Sequence, residues 1–382
     1  MTNHPTDGRS DGHWSVSETA VLGRMVDALR STEPAAVATV VSVDGSAYRR
    51  PGAKMLLTAD SAVGSVTAGC LESDVSTIAA EVRTAGHKRL ERFDLTDDTE
   101  WGLGLGCNGV VDLFIEPLDE RFVDMLEGHQ TGTDGLAVTV IESSVETVAV
   151  GDRVYTSDGE PTGGGTLPDW LLDAVRNPAR ECFAQGRSRT AHFTAPDGGE
   201  VRVFFDTITA PPKMYVFGGG LDVQPVTEIA TRAGFRVTVV PFRGGQADET
   251  AFPHAKRVVS MSPPEIGDSL SFDTETYAIV MSHNLVDDYL AVETLLATPV
   301  PYIGLMGPSE RFTAITELLE DDEYTLTESD VDRIYTPIGL DIGGGEPYQI
   351  AMSIVTEVLA VHNRRNGGHL RDRTGSIHNP GL

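Results

Sequence analysis

The stretch Lys213–Val240, KMYVFGGGLDVQPVTEIATRAGFRVTVV, constrains the fold of this chain more than any other segment. A short apolar run precedes three glycines, Gly218, Gly219 and Gly220, and apolar residues at helical spacing lead to a second apolar run. This order predicts one strand–helix–strand unit of a parallel sheet. Glycines at its first turn let the backbone approach a phosphate, and helix N-terminal N–H groups favour an anion. The stretch therefore predicts a dinucleotide or phosphate site at Gly218–Gly220.

The rest of the C-terminal half continues this alternation. Strand-like apolar runs alternate with helical patterns, and the runs lie at 257–261, 277–282 and 300–306. A long amphipathic helix at 346–362 closes the pattern. The alternation predicts a Rossmann-like, doubly wound parallel sheet over residues 211–362, which begins after Ala210 at two consecutive prolines.

Upstream of this boundary, residues 16–118 predict an α/β domain in which short strands are joined by glycine loops. Residues 119–210 predict a β-rich connecting segment with helical runs at 119–128 and 170–185, and no repeat at a solenoid period is visible. The polar ends, residues 1–15 and 363–382, are predicted to be disordered. The predicted fold class is therefore α/β, with an N-terminal α/β domain and a C-terminal Rossmann-like domain.

The glycine turn departs from a dinucleotide fingerprint in several places. Val223 stands where the third glycine is expected, and Asp222 is predicted to cap the helix where a pyrophosphate would lie. Pro241 follows the second strand where an acid would bind a ribose, whereas Arg243 favours a 2′-phosphate. His283, after a later strand, is a further candidate cofactor-binding residue, or else a strand-end histidine with a structural bond. The prediction of NAD(P) binding is therefore weak.

Acidic residues outnumber basic ones, 57 to 29, which gives a formal charge of −28. Such a charge opposes binding to nucleic acid and to anionic membranes, although high salt would screen the repulsion. Acidity with only four lysines is typical of a halophilic-type protein in a salt-rich cytoplasm. Because the chain shows neither a signal-peptide pattern nor an apolar run long enough to span a membrane, we expect a cytoplasmic protein.

Three loops of the N-terminal domain combine glycine with polar or reactive side chains. The first, GSAYRRPGAKM at 45–55, concentrates positive charge in an acidic chain. Its candidate anion-binding residues are Ser46, Arg49 and Lys54, because a guanidinium can hold a phosphate or carboxylate through two hydrogen bonds. The alternative is a solvated turn whose arginines pair with nearby acids.

The second loop carries Gly69, Cys70 and Glu72 at the start of a predicted helix. A helix N-terminus favours the thiolate form of a cysteine, and a nearby carboxylate can position a proton. The third loop, at 102–109, carries Gly106 and Cys107 among glycines whose N–H groups can form an anion-binding nest. Cys70, Cys107 and Glu72 are therefore candidate catalytic residues. The alternatives are a favourable dipole charge at Glu72 and a flexible turn in the third loop.

The remaining cysteine, Cys182, lies in a helical run and is predicted to be a small buried side chain. Three cysteines at these spacings predict no disulfide framework. No cysteine or histidine spacing resembles a zinc site, so no metal ligand is predicted.

Taken together, these motifs resemble the XdhC/CoxI family, the accessory proteins of xanthine dehydrogenase, CO dehydrogenase and related molybdenum hydroxylases. The N-terminal domain carries GSAYRRPGAKM, GCLE and GLGCNG in the family's order. The C-terminal half carries FGGG, Ser282-His283, YIGLMG and PIGLDIGGGEPYQIAMSI, with Asn284 where the family usually has Asp. The resemblance extends over about residues 16–362, and several motifs in one order make it specific.

The resemblance implies a cofactor-maturation chaperone more than a turnover enzyme. Such a protein binds the molybdenum cofactor (molybdopterin), helps to exchange an oxo ligand for sulfide with a cysteine desulfurase, and delivers the cofactor to an apo molybdenum hydroxylase. It implies cofactor or sulfur handling by Cys70 and Cys107, anion binding by Arg49 and Lys54, and a supporting role for Glu72. A family of this kind is expected to form homodimers.

Two other functions stay open at this point. An NAD(P)-dependent oxidoreductase would bind and turn over a nicotinamide cofactor, but the missing acid and third glycine oppose it. A nucleotide-binding sensor or scaffold would bind a ligand and a partner and would need neither cysteine.

Overall fold

The computed structural model describes residues 14–31, 33–95, 109–162, 166–246, 248–372 and 374. The chain forms two compact units, Met1–Ala210 and Pro211–Leu382. Among the described residues, no helix is long and apolar enough to cross a membrane. Gly106 and Cys107, residues 1–13 of the first predicted tail, and residues 373 and 375–382 of the second lie outside the described residues.

The first unit begins with α1 Glu18–Ser31, β1 Ala36–Gly45, β2 Lys54–Leu57, β3 Ala62–Gly64, α2 Glu72–Ala85, β4 Arg89–Asp94 and β5 Gly109–Pro117. The strands form an antiparallel sheet in the order β3-β2-β1-β5-β4. The central strand β1 is buried on both faces because its side chains alternate between two cores. Ala38 and Val40 pack with α2, whereas Val37 and Val41 belong to cores on the opposite face.

The same unit continues with α3 Val123–Thr131, β6 Gly135–Ser143, β7 Arg153–Thr156, α4 Asp169–Gln185, β8 Arg189–Thr194 and β9 Glu200–Ile208. These strands form a second antiparallel sheet in the order β7-β6-β9-β8, with α4 packed on one face. Cys182 lies on the packed side of α4 and is buried, as predicted. Burial raises the pKa of its thiol and so favours the unreactive protonated form, as expected of a structural cysteine.

The two sheets repeat one topology. Strands β2-β1-β5-β4 of the first correspond to β7-β6-β9-β8 of the second, and a helix precedes the last two strands of each set. The central pairs carry register shifts at matching places, between Val40 and Ser42 and between Val140 and Glu142. The first unit is therefore built from two copies of one fold. Residues 119–210, predicted as a connecting segment, provide the second copy.

Two buried ion pairs join the copies reciprocally. Lys54 Nζ lies 2.7 Å from Asp206 Oδ2, and Arg153 pairs with Glu116. Lys54 and Arg153 begin β2 and β7, each opposite a threonine, and Glu116 and Asp206 occupy equivalent positions of β5 and β9. Each cation of one copy thus pairs with the acid of the other, which relates the copies by an approximate two-fold axis.

The second unit contains β10 Lys213–Phe217, α5 Val223–Arg232, β11 Arg236–Val240, β12 Arg257–Val258, α6 Ile266–Ser269, β13 Thr276–Val280, α7 Leu285–Leu296, β14 Tyr302–Leu305, α8 Ser309–Asp321, α9 Glu328–Val331, β15 Ile334–Tyr335 and α10 Pro347–His362. The strands form a parallel sheet in the order β12-β11-β10-β13-β14-β15, which confirms the predicted Rossmann-like domain. The predicted strand at 257–261 is shorter in the structure, where only Arg257 and Val258 pair regularly with β11. Val259 N and Met261 N still donate to Val239 O and Pro241 O, but they do not extend the regular ladder.

Helices cover both faces of this sheet. Met214 and Val216 of β10 pack with α5 and α10, whereas Tyr215 and Phe217 pack with α7. The chain adds strands on one side of β10 and then returns to place β13 on its other side, so β10 and β13 flank the topological switch point. Ligands of such sheets bind at this point, beyond the carboxyl ends of the strands. The glycine turn and the turn at 282–284 both lie there.

Candidate functional site

The loop that carries Cys70 is held by the carboxylate of Glu72, the first residue of α2. Thr67 Oγ1 donates to Glu72 Oε2 at 2.8 Å and to Oε1 at 2.9 Å, and Leu71 N donates to Oε2 at 3.1 Å. Gly69 has a φ of 109°, a conformation that a residue with a side chain rarely adopts. Cys70 is half-buried beside this network. Glu72 thus fixes the backbone around the thiol, and its catalytic role stays a prediction.

Trp14 joins this loop to the basic loop. Its ring stacks on Tyr48 with centroids 5.7 Å apart and an angle of 26° between the planes. Its Nε1 donates to Glu72 Oε1 at 3.4 Å. Trp14 was predicted to belong to a disordered tail, and the structure corrects this, because one face of the indole stacks on Tyr48 and its N–H has an acceptor. An aromatic residue four positions before α1 was the available signal.

Two cations of the basic loop at 45–55 are engaged in the fold. Arg49 pairs with Glu18 at the start of α1, and the other oxygen of Glu18 accepts from Lys54 N at 3.3 Å. Lys54 Nζ is enclosed and donates to Gly52 O at 2.9 Å as well as to Asp206. Arg49 and Lys54 could hold a ligand anion only if these pairs opened, so their anion-binding role stays a prediction.

Arg50 differs from its two basic neighbours. Its side chain is exposed, and within the described ranges no carboxylate lies at ion-pair distance from it. Sequence analysis names Ser46, Arg49 and Lys54 as the anion-binding residues of this loop and leaves Arg50 out. Which of several neighbouring cations is free depends on tertiary partners, and the sequence of the loop carries no signal for it.

The described end of the third loop lies against the basic loop. Gly109 begins β5 opposite Gly45, and a Cβ atom at Gly109 would lie 2.5 Å from the backbone oxygen of Ser46. The exposed Ser46 therefore sits at the junction of the first and third loops. Gly106 and Cys107 lie outside the described residues, and their roles stay predictions.

The glycine turn of the second unit is shaped by contact with β13. Gly218 has a φ of 151°, and a Cβ atom there would lie 2.5 Å from Met281 O. A Cβ atom at Gly220 would lie 2.3 Å from Asp222 Oδ1. Close packing against backbone therefore accounts for Gly218, whereas the atom that faces Gly220 belongs to the movable side chain of Asp222. Their predicted cofactor role, and that of Gly219, stays a prediction.

Asp222 does not cap α5, which corrects the prediction from sequence. Its side chain makes no capping bond, and instead Asp222 Oδ2 lies 2.8 Å from His283 Nε2. His283 has a φ of 62°, in the left-handed region, and its side chain is 60% exposed. The pair places an oriented imidazole at the switch point. Asp222 partners a side chain 61 positions away, so local capping patterns could not reveal it.

The turn that presents His283 is supported on both sides. Ser282 N donates at 3.2 Å to Asp288, a fully buried carboxylate that also accepts from Arg311 Nε at 2.8 Å. Asn284 Oδ1 caps α7 by accepting from the N–H groups of residues 286 and 287, each at 3.0 Å. Asn284 therefore serves as a helix cap.

Arg243 follows β11, as the sequence predicts, and its guanidinium is largely exposed. It pairs with Asp287 at 3.2 Å, on the first turn of α7. That partner places Arg243 on the same edge of the sheet as the Asp222–His283 pair. Its preference for a 2′-phosphate stays a prediction, and the pair with Asp287 would compete with such a ligand.

The fold and site define a class: an α/β unit with a thiol loop and a basic loop, followed by a Rossmann-like unit. Two family models match these parts, the XdhC and CoxI family model over residues 28–94 and the XdhC Rossmann domain model over residues 214–358. The chain belongs to the XdhC and CoxI family.

Similar proteins cover nearly the whole chain. A probable xanthine dehydrogenase subunit from Bacillus subtilis (strain 168) is 27% identical over 348 residues, 89% of this chain and 97% of that protein. The molybdenum cofactor insertion chaperone PaoD from Escherichia coli (strain K12) is 21% identical over 366 residues, 92% and 93% of the two chains. A crystal structure described as a xanthine dehydrogenase from Bacillus halodurans matches with a TM-score of 0.70 and 25% identity, over 93% and 98% of the chains.

Proposed function

We propose that this protein binds the molybdenum cofactor and assists its sulfuration and insertion into an apo molybdenum hydroxylase of the xanthine dehydrogenase or CO dehydrogenase type. The observation that carries the proposal is the Trp14–Glu72 contact, which joins the loop of Cys70 to the basic loop. The similarity to a molybdenum cofactor insertion chaperone supports it. In this role the protein is a chaperone of the cofactor rather than a turnover enzyme.

The chemistry of the side chains fits this cofactor. Cys70 is partly accessible, and thiolates suit a soft metal–sulfur centre such as the one that molybdopterin carries when bound. Cys70 and Cys107 would hold or pass sulfur, and Glu72 would keep the loop of Cys70 in place. A cysteine desulfurase would supply the sulfur, and the protein would act in the cytoplasm as a homodimer.

For the Rossmann-like unit we favour a role other than NAD(P) turnover. The Asp222 carboxylate stands beside the glycine turn, where it would repel a pyrophosphate. Gly218 packs against Met281 O, so protein backbone already fills the space beside this glycine that a dinucleotide would require. Tight binding of NADPH by the purified protein would contradict this view.

The experiment is purification of the full chain from a molybdenum-replete host, followed by molybdenum and pterin analysis. We expect both in the wild type, and a loss of at least about tenfold in the Cys70→Ala, Cys107→Ala double variant, since metal–thiolate bonds are strong. Cys182→Ala is the matched control, because Cys182 is buried in a core. Absence of molybdenum and pterin from the wild type would refute the proposal, and undiminished binding and client activation by the double variant would refute the thiol part.

A further inference from the structure

Tyr48 is an aromatic side chain that the fold holds in solvent. It is 56% exposed, although exposing so large an apolar surface is unfavourable. One face of its ring is covered by Trp14, which packs nearly parallel to it. At this exposure, part of the side chain remains accessible to solvent. An aromatic ring in this situation can stack a second planar ring at little additional cost in conformational freedom.

The loop around Tyr48 is preorganised on both sides. On one side, the stack of Tyr48 on Trp14 ties the loop to Glu72 and α2. After it, Arg49 is fixed by Glu18, and Gly52 N donates to Val40 O at 2.9 Å in the strand β1. The fold therefore constrains the backbone that presents Tyr48. Such rigidity lowers the entropy lost when a ligand binds.

Arg50 adds a cation two residues from the exposed ring. Both neighbouring cations, Arg49 and Lys54, are paired with carboxylates, whereas Arg50 has no such partner in the part of the chain that the structure describes. A guanidinium in this state can bind a phosphate or carboxylate through two hydrogen bonds without first breaking an ion pair. As far as the described residues show, the loop thus offers an exposed aromatic ring and a cation without a carboxylate partner.

We infer that Tyr48 and Arg50 form a two-point site for a planar heteroaromatic ring that carries an anionic group. Tyr48 stacks the ring, and Arg50 binds the anion. This inference deepens the proposed function: the ligand would be the pterin of the molybdenum cofactor with its phosphate. It moves the anion-binding role within the basic loop from Arg49 and Lys54 to Arg50.

The test is a fluorescence titration of the full-length protein with two pterins. Pterin-6-carboxylate carries an anion, and 6-hydroxymethylpterin is its neutral counterpart. Tyr48→Leu should raise the dissociation constants of both about tenfold, the size of effect that loss of one ring stack produces. Arg50→Gln should raise that of pterin-6-carboxylate about tenfold and leave that of the neutral pterin within about twofold.

Two control variants separate the site from general effects. Tyr48→Phe keeps the ring and should keep both affinities. Tyr348→Leu removes a tyrosine of similar exposure, 55%, from the second unit, and it should also leave both affinities unchanged. Equal binding by the wild type and Tyr48→Leu, or no binding by the wild type, would overturn the inference. If the wild type nevertheless copurifies with molybdenum, the proposed function stands without this site. If the pterins bind as expected and no molybdenum copurifies, the ring site stands and the proposed function falls.

Discussion

Lys54 and Asp206 form an ion pair that is almost fully enclosed, with 4% and 8% of their side chains exposed. The pair links the two copies of the fold in the first unit, and Arg153 with Glu116 forms its counterpart. Removing one partner of a buried pair leaves a charge without compensation, which costs about 3–5 kcal/mol. We therefore expect Lys54→Met to lower the stability of the first unit by about 3 kcal/mol.

Urea unfolding followed by tryptophan fluorescence measures this change. Trp14, Trp101 and Trp170 all belong to the first unit, so their emission reports on that unit within the intact chain. The Lys54→Met, Asp206→Leu double variant should regain much of the loss, because it leaves no unpaired charge. An unchanged midpoint for the single variant would show that the pair does not hold the copies together.

The hydrogen bonds that Glu72 accepts lead to a prediction about Cys70. Glu72→Ala removes the acceptor of Thr67 and Leu71, which loosens the loop that carries Cys70, and it removes a carboxylate two residues from this cysteine in the sequence; both changes favour attack by the Cys70 sulfur on a disulfide. In a Cys107→Ala background we expect the thiol of Cys70 to react about fivefold faster with a disulfide reagent. Stopped-flow absorbance measures the rate.

Glu81→Ala is the matched control for this prediction. Glu81 lies on the same helix, is 62% exposed and pairs with Arg89 at the surface. It should leave the rate within about twofold, as is usual for surface substitutions. If Glu72→Ala reacted no faster than Glu81→Ala, Glu72 would not be the residue that holds the thiol loop.

Local pattern and tertiary partners explain what could be predicted from this sequence. The long helices and the central strands of the second unit follow from apolar periodicity, which acts over a few residues, and were predicted from it, whereas the strand at 257–261 is shorter and the short elements α6, α9 and β15 were not predicted. The pairs of Trp14 with Glu72 and Asp222 with His283 join residues 58 and 61 positions apart, so only the folded chain brings them together. Helix-capping rules predict that Asp222 accepts from its nearest N–H groups, but its carboxylate pairs with His283 instead.

The duplication in the first unit escaped prediction for a related reason. Strands β4 and β8 share the same alternation of exposed and half-buried positions, but their residues differ: RLERFD in one and RTAHFT in the other. Strand pairing requires only that alternation, and not particular side chains. The reciprocal ion pairs use lysine with aspartate in one case and arginine with glutamate in the other, so chemical equivalence survives without identity.

Gly218 provides a prediction for the second unit. Its φ of 151° is unfavourable for any residue with a side chain, and a Cβ atom would overlap Met281 O at 2.5 Å. Gly218→Ala should therefore destabilise the contact between β10 and β13 by about 2 kcal/mol. Hydrogen exchange of peptides from these two strands should become correspondingly faster.

Gly244→Ala is a suitable control for this change. No atom lies within 4 Å of a Cβ placed at Gly244, and its φ is not in the left-handed region. Exchange in β10 and β13 should therefore stay as in the wild type. Equal protection in the Gly218→Ala and Gly244→Ala variants would mean that the glycine turn can shift without cost. Packing would then not explain Gly218, and the prediction of a ligand-binding loop would regain weight.

His362 gives the second unit a dependence on pH. Its ring lies between Phe235 and Tyr277, and Tyr277 Oη lies 3.0 Å from its Nδ1. Burial lowers the pKa of His362, and the charge of Glu275 opposes this shift only in part. In the unfolded chain a histidine has a pKa of about 6.5. Between the two pKa values the unfolded chain binds more protons, so acidification favours unfolding.

The stability that neutral His362 contributes is therefore fully present above about pH 6.5 and is lost as pH falls toward the lower pKa of the folded state. We expect the midpoint of thermal unfolding of the intact chain, followed by circular dichroism, to fall between about pH 7.5 and about pH 5.5. His362→Gln, which cannot become charged, should show a smaller decrease over the same range. Identical decreases in the two proteins would assign the pH dependence to other groups, because His362 would then bind its proton equally in the folded and unfolded chains.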